Sequence, residues 1–166
     1  MLPIKPESPE EEPLIARIDP DRLPRHIAVI MDGNGRWAHE HGYAERIKGH
    51  EAAADSVRAA VRGSAELRIE ALTLYAFSME NWKRPRAEVA ALMRLLERYV
   101  KAELDEMMEN DIRLVVSGRL DPVPDRVIRV LDDAIARTSD NKGLTVNLAL
   151  SYGGRTEIVD AARKFG

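Results

Sequence analysis

The sequence predicts an α/β fold, a mostly parallel sheet flanked by helices. Three observations predict it. Short apolar runs of strand length alternate along the chain with longer stretches of helical periodicity. The runs are nearly continuous in apolar residues, as strands buried on both faces require. Polar and charged side chains crowd into the segments that follow the runs, where parallel sheets place their ligands.

The first strand is "HIAVIM" (26–31), a short apolar run. A helix is expected from about Gly49 to Glu66, with Ala53, Val57, Ala60, Val61 and Ser64 on one face. "EALTLYAF" (70–77) is the second strand. Pro85 then stands where a helix accepts proline without losing a hydrogen bond. The long helix behind it, about 85–108, carries Val89, Leu92, Met93, Leu96, Val100, Leu104 and Met107 at helical spacing. "IRLVVSG" (112–118) is the third strand, and Val127, Val130, Leu131, Ala134 and Ile135 mark the next helix. "LTVNLALSYGG" (144–154) is the fourth strand with its exit loop, and a last helix begins near Arg155.

Residues 1–24 are compositionally distinct. Pro3, Pro6, Pro9, Pro13, Pro20 and Pro24 fall there beside the acidic run Glu10–Glu12, a density of proline that suits neither a helix nor a sheet ladder. A flexible Pro/Glu-rich leader over 1–24 and a folded domain over 25–166 are expected. At 166 residues the chain suits one domain with a real core. No apolar stretch approaches the roughly 18–20 residues of a membrane span, and the first residues lack a signal-peptide pattern. Cysteine is absent, which excludes disulfides and thiolate chemistry and fits a reducing cytoplasm. The net charge of −3 carries no basic footprint, so no nucleic-acid partner is expected, and any anion site must be built from local charge.

Three polar clusters stand at strand exits. In "AVIMDGNGRWA" (28–38), Asp32, Gly33, Asn34, Gly35 and Arg36 follow the first strand. Asp-Gly and Asn-Gly suit a hairpin turn, but the "RWAHEHG" that follows is polar and non-alternating, so a strand–loop–helix is expected. Two glycines let backbone approach a ligand and aim N–H groups at it. A carboxylate repels a phosphate, and a Mg²⁺ ion between them removes the conflict. A plain capped βα loop remains the alternative on spacing alone, and the stretch matches neither a Walker loop nor a dinucleotide fingerprint. The second cluster, "ERIKGH" (45–50), sets Arg46, Lys48 and His50 ahead of a helix, either as an anion site or as a solvated surface run. The third, "FSMENWKRPR" (77–86), packs Ser78, Met79, Glu80, Asn81, Trp82 and Arg84 into seven positions, with the tryptophan either capping the core or walling a site. His39 and His41 are spaced for different helix faces, and without cysteine no zinc pattern exists. No Gly-x-Ser-x-Gly elbow supports a nucleophilic triad.

Taken in order, "HIAVIMDGNGRWA" (26–38), "RIKGH" (46–50), "ALTLYAFSMENWKRP" (71–85) and "NLALSYGGRTEIVDAAR" (147–163) closely resemble the cis-prenyltransferases, the undecaprenyl diphosphate synthase family. The resemblance runs from about residue 24 to the last residue. It implies a Mg²⁺-dependent isoprenyl transferase that adds isopentenyl diphosphate to an allylic diphosphate such as farnesyl diphosphate, forming a cis double bond. It implies Asp32 as the catalytic carboxylate and metal ligand. Gly33, Asn34, Gly35 and Arg36, with the adjoining Trp37, would cradle the allylic diphosphate, with Arg46 and His50 as further donors. Ser78, Met79, Glu80, Asn81, Trp82 and Arg84 would form the loop over the reacting carbons and the second substrate. Asn81 stands where the family places its proton acceptor. A carboxamide is a very weak base, so a diphosphate oxygen positioned by Asn81 is the better chemical candidate.

The resemblance further implies an apolar tunnel between the sheet and the helices near 49–66 and 85–108, a homodimer, and peripheral membrane contact through the lipid product. The chain departs from the family in three ways. "GYAER" (42–46) carries one residue more, Ala53 replaces a usual glycine, and the family's later arginine-rich motifs and metal-binding glutamate are absent. A C-terminally incomplete domain is therefore expected, either a transferase or a prenyl-diphosphate-binding module without the isopentenyl diphosphate site. A nucleotide-binding α/β domain is the more distant alternative.

Overall fold

The computed structural model describes residue 6 and residues 8–165. Four strands, β1 (His26–Ile30), β2 (Ala71–Ser78), β3 (Arg113–Ser117) and β4 (Thr145–Tyr152), form one sheet in the order β1-β2-β4-β3. Every pairing is parallel, in registers such as Ile27 with Leu72, Leu72 with Val146 and Leu114 with Val146. The helices are α1 (Glu12–Ile15), α2 (Asn34–Glu40), α3 (Ile47–Glu66), α4 (Arg86–Glu109), α5 (Asp125–Arg137) and α6 (Gly154–Phe165). The parallel α/β architecture is as the sequence predicts.

The core lies on one face of the sheet. Leu72, Leu74, Leu114, Val146 and Leu150 meet Met93, Val100 and Leu104 of α4 and Val127 and Leu131 of α5, all nearly free of solvent. The helical stripe expected on α4 faces inward, with Pro85 at its N-cap, one residue ahead of the first helical position. Burying this many aliphatic side chains, at about 25 cal/mol per Å² of apolar surface, is the main source of stability. The opposite face is polar at its centre, where Thr73 bonds His26 at 2.8 Å and Asn147 at 3.3 Å. The outer strands β1 and β3 each pair on one side only, and Ile30 on β1 is 77% exposed.

Within the proposed leader, residues 1–5 and 7 lie outside the described residues. The remainder is not uniformly extended: α1 takes Pro13 in its first turn, and Pro20–Arg22 form a 3-10 turn capped by the Asp19 carboxylate. Both place proline where its missing N–H is harmless. The stretch after Gly33 is helical at once, since α2 starts at Asn34 inside the glycine motif. Among the described residues, no helix is long and apolar enough to cross a membrane.

Candidate functional site

The ends of β1, β2 and β4 and the beginnings of α3 and α4 share one end of the sheet, because every strand is parallel and every crossover carries the chain back to the opposite end before the next strand starts. A cavity of about 310 Å³ runs between α3, α4 and the core face of the sheet. Val57 and Val61 of α3, Leu92, Leu96 and Val100 of α4, and Leu74 and Leu148 of the sheet line it. Ala53 of α3 lines it too. At the strand-exit end the lining becomes polar, with Asn34, His50, Asn81 and Arg84. These four residues come from three separate sequence clusters, and the fold brings them together.

The first loop is built around Gly33, whose φ of +94° closes the N-terminus of α2 in a conformation that L-residues avoid. The Asp32 carboxylate accepts the Gly33 N–H at 2.6 Å and pairs with Arg36 at 3.3 Å. Both side chains are largely in solvent, 79% and 75% exposed. Trp37 turns away from the cavity and stacks on His41, ring centres 4.0 Å apart, with Tyr43 beyond it at 6.2 Å.

The second cluster meets the first through two glycines. A Cβ on Gly35 would stand 2.7 Å from Nε of Arg46, so the guanidinium lies directly on the α2 backbone despite the additional residue in its loop. A Cβ on Gly49 would stand 1.8 Å from the carbonyl oxygen of Asn34, so only glycine lets α3 cross α2 this closely. That crossing puts His50 Nδ1 3.3 Å from the Asn34 carboxamide nitrogen. Burial, helped by the positive charges of Arg84 and Arg46 and opposed by Glu88, holds the His50 imidazole below its ordinary value. Lys48 points elsewhere and pairs with Glu51 at 3.0 Å.

The third cluster is a 3-10 turn, Met79–Lys83, held by a capping box: the Ser78 hydroxyl accepts the Asn81 N–H, and the Asn81 carboxamide oxygen accepts the Ser78 N–H at 3.2 Å. Glu80 is exposed, and hydrogen bonds from its own backbone N–H and from Ser78 keep its carboxyl below the usual range. Trp82 packs edge-on against Phe77, centroids 4.9 Å apart, and donates its indole N–H to the Ser151 hydroxyl at 2.8 Å. Met79 also faces β4, its sulfur 3.3 Å from the Ser151 oxygen. The structure therefore takes Asn81 and Arg84 to the cavity and Met79 and Trp82 to the sheet.

Three residues that sequence reasoning passed over organise this site. One oxygen of Glu88 accepts from Arg84 at 3.0 Å and lies 3.7 Å from Nε of Arg46, gathering cations from two loops. Gly49 permits the helix crossing, and Ser151 anchors the turn. The glycine between Lys48 and His50 was the visible signal for Gly49. An acid in a first helical turn and a serine in an apolar strand carry none.

Asp32 fits Mg²⁺ in a particular way. Among the described residues no three His, Cys, Asp or Glu side chains cluster as a metal cage. A single exposed carboxylate matches an ion that takes its other oxygens from a diphosphate and water.

A family model described as "Putative undecaprenyl diphosphate synthase" matches residues 30–166. An isoprenyl transferase of Shouchella clausii is 47% identical over 95% of this chain, and one of Chlorobaculum tepidum is 50% identical over 85%. The chain spans 60% and 53% of those relatives' lengths. Among solved structures, lavandulyl diphosphate synthase from Lavandula x intermedia, in complex with dimethylallyl diphosphate, is 32% identical with a TM-score of 0.82, covering 86% of this chain and 61% of its own. A structure described as "a probable undecaprenyl diphosphate synthase" from Campylobacter jejuni is 33% identical with a TM-score of 0.70 over 86% of this chain and 62% of its own. With most of its length matched by the family model and by relatives near half identity, this chain belongs to the undecaprenyl diphosphate synthase family of isoprenyl transferases.

Proposed function

We propose that the chain carries the allylic-diphosphate half of an isoprenyl transferase site, in which isopentenyl diphosphate is condensed with an allylic diphosphate such as farnesyl diphosphate to a cis-polyprenyl diphosphate. One observation carries the reading: the apolar-walled cavity gathers Asn34, His50, Asn81 and Arg84 at its strand-exit end, while Arg58, Arg62, Glu66, Glu103 and Glu106 also contribute to its lining. An allylic diphosphate has the matching shape, an apolar tail with a compact anionic head. The cavity's size falls within the range of about 300–1,000 Å³ that small-molecule sites occupy. The second substrate and the full reaction rest on the family resemblance, and the relatives' name, isoprenyl transferase, supports the kind of group transferred.

The chemistry asks for few protein groups. The allylic C–O bond breaks, its electron pair leaving with diphosphate. The double bond of isopentenyl diphosphate supplies the pair for the new C–C bond, and a proton is lost from the adjoining carbon. Arg36, Arg46 and Arg84 hold the leaving diphosphate, with Glu88 setting the direction of the last two. Asp32 would hold Mg²⁺ against the diphosphate oxygens, and the ion would neutralise charge that develops there. The apolar walls from Val57 to Val100 keep water from the allylic cation. Asn81, fixed by its capping box, orients a diphosphate oxygen that takes the proton.

The test is incorporation of labelled isopentenyl diphosphate into farnesyl diphosphate with Mg²⁺, beside direct measurement of farnesyl diphosphate binding. Binding with elongation supports the reading. Binding without elongation makes the chain a prenyl-diphosphate-binding module, and absence of both overturns the site.

A further inference from the structure

Three non-glycine residues among those described have positive φ: Arg68 at 57°, Asp111 at 56° and Ser151 at 53°. The first two are exposed and stand just past the C-termini of α3 and α4, where a left-handed residue ends a helix. Ser151 has no helix to end; it is the extra residue where the β2–β4 register shifts between the Phe77–Leu150 and Ser78–Tyr152 pairs, a β-bulge. It lies inside β4 and is fully buried. An L-residue in this conformation costs free energy, and an outlier of this kind points to what its side chain does.

The hydroxyl of Ser151 accepts the Trp82 indole N–H at 2.8 Å and faces the Met79 sulfur at 3.3 Å. The surrounding backbone leaves the serine little freedom. Its carbonyl accepts from the Arg119 N–H, and a Cβ on neighbouring Gly118 would stand 2.1 Å from the Leu150 carbonyl oxygen. The two apolar members of the Met79–Lys83 turn are thus tied to one atom of β4. Asn81 of the turn and Arg84, which caps its end, line the cavity instead.

We infer that Ser151 is a positioning residue: its left-handed backbone aims a buried hydroxyl that pins the Met79–Lys83 turn, and so holds Asn81 and Arg84 at the polar end of the cavity. The effect on ligand binding rests on the diphosphate reading above, whereas the pin itself does not. The hydroxyl acts through Trp82 and touches no reacting atom.

The experiment compares Ser151→Ala, Ser151→Gly and Trp82→Phe by thermal melting, by amide hydrogen exchange of the ligand-free chain, and by binding of farnesyl diphosphate and of farnesol. Glycine accepts positive φ, so Ser151→Gly should melt no lower than Ser151→Ala. Both should nonetheless speed exchange at residues 79–84 while the β4 core stays protected. Both should weaken farnesyl diphosphate by the same factor, roughly five- to tenfold for one hydrogen bond, and leave farnesol unchanged. Trp82→Phe, which removes the donor, should do the same, and combining it with Ser151→Gly should add nothing. Wild-type exchange in Ser151→Gly or in Trp82→Phe overturns the inference, as does a loss of affinity that follows melting temperature. Should the Ser151 variants not fold, Trp82→Phe decides alone. Wild-type chain that binds farnesyl diphosphate no better than farnesol overturns the diphosphate reading, and the exchange data still decide the pin.

Discussion

The loops after β1 and β2 hold equivalent places in a parallel sheet and are built in opposite ways. The first keeps its ionic contacts local, with Asp32 bonded to its neighbour Gly33 and to Arg36 one turn on, both side chains in solvent, while Asn34 meets His50 on α3. The second is tied across the sheet, Trp82 and Met79 both meeting Ser151 on β4, while its Arg84 pairs with Glu88 one turn on. The exposed carboxylate and the buried tie to the sheet therefore fall on different loops. On the reading proposed above, the first loop gains from solvent access and from freedom to meet a cation with its ligand. A loop that orients neutral donors gains from rigid support.

The largest effect should come from Asp32→Ala. Loss of a charge-stabilising group of this kind costs about 10²–10³ in turnover, while stability should change by less than about 0.5 kcal/mol because the side chain is exposed. Parallel activity and denaturation measurements check both halves, and a large stability loss would break the contrast between the loops. Trp82→Ala should do the reverse in stability, costing about 2–3 kcal/mol, at or below the low end for a fully buried tryptophan since Trp82 is partly exposed. Urea unfolding reads this directly.

A subtler variant lies in the first loop. Gly35→Ala drives a methyl into the Arg46 guanidinium, the far end of a flexible side chain. Stability should hardly move, and affinity for farnesyl diphosphate should fall about tenfold, or near 1.4 kcal/mol, as calorimetry would show.

The smallest effect concerns His50. Its folded-state proton affinity lies below the ordinary value of 6.5, chiefly through burial. The unfolded chain therefore binds the extra proton first as pH falls. Stability should decline as pH drops below 6.5 toward the folded-state value, and be free of this contribution above it. His50→Asn should flatten that acid-side decline when melting temperature is followed against pH.

Much of this was legible in the residues. Parallel strands read as nearly unbroken apolar runs, so β1 at 26–31 was found at His26–Ile30 and β2 at 70–77 at Ala71–Ser78, although burial on both faces was not: β1 alternates exposed and half-buried residues and the core lies on one face. The helix α2 was not, because seven mostly polar residues beside two glycines carry no apolar stripe. Ala38, fully buried against α3, holds it through packing rather than pattern. The stripe on α4 reads as core by spacing, yet Leu92, Leu96 and Val100 also line the cavity. A side chain facing a gap and one facing a neighbour obey the same 3.6-residue period, so only the resemblance to a family suggested a tunnel. Asn34, His50, Asn81 and Arg84 were each visible as motif residues. Their meeting depends on the approach of two backbones at Gly49, which no side-chain pattern announces.

The strand order has a consequence for how the site comes into being. β4 inserts between β2 and β3, and Asn147 meets Thr73 across 74 residues of chain. Contacts of that separation form late, since a long loop must close before they repay its entropy. During synthesis, β1 and β2 can pair while the inner edge of β2 stays bare, and the Met79–Lys83 turn has no partner until Ser151 arrives. The second loop should therefore mature at the rate of the final strand's docking, and the binding end of the cavity should be among the last parts of the molecule to acquire its native shape.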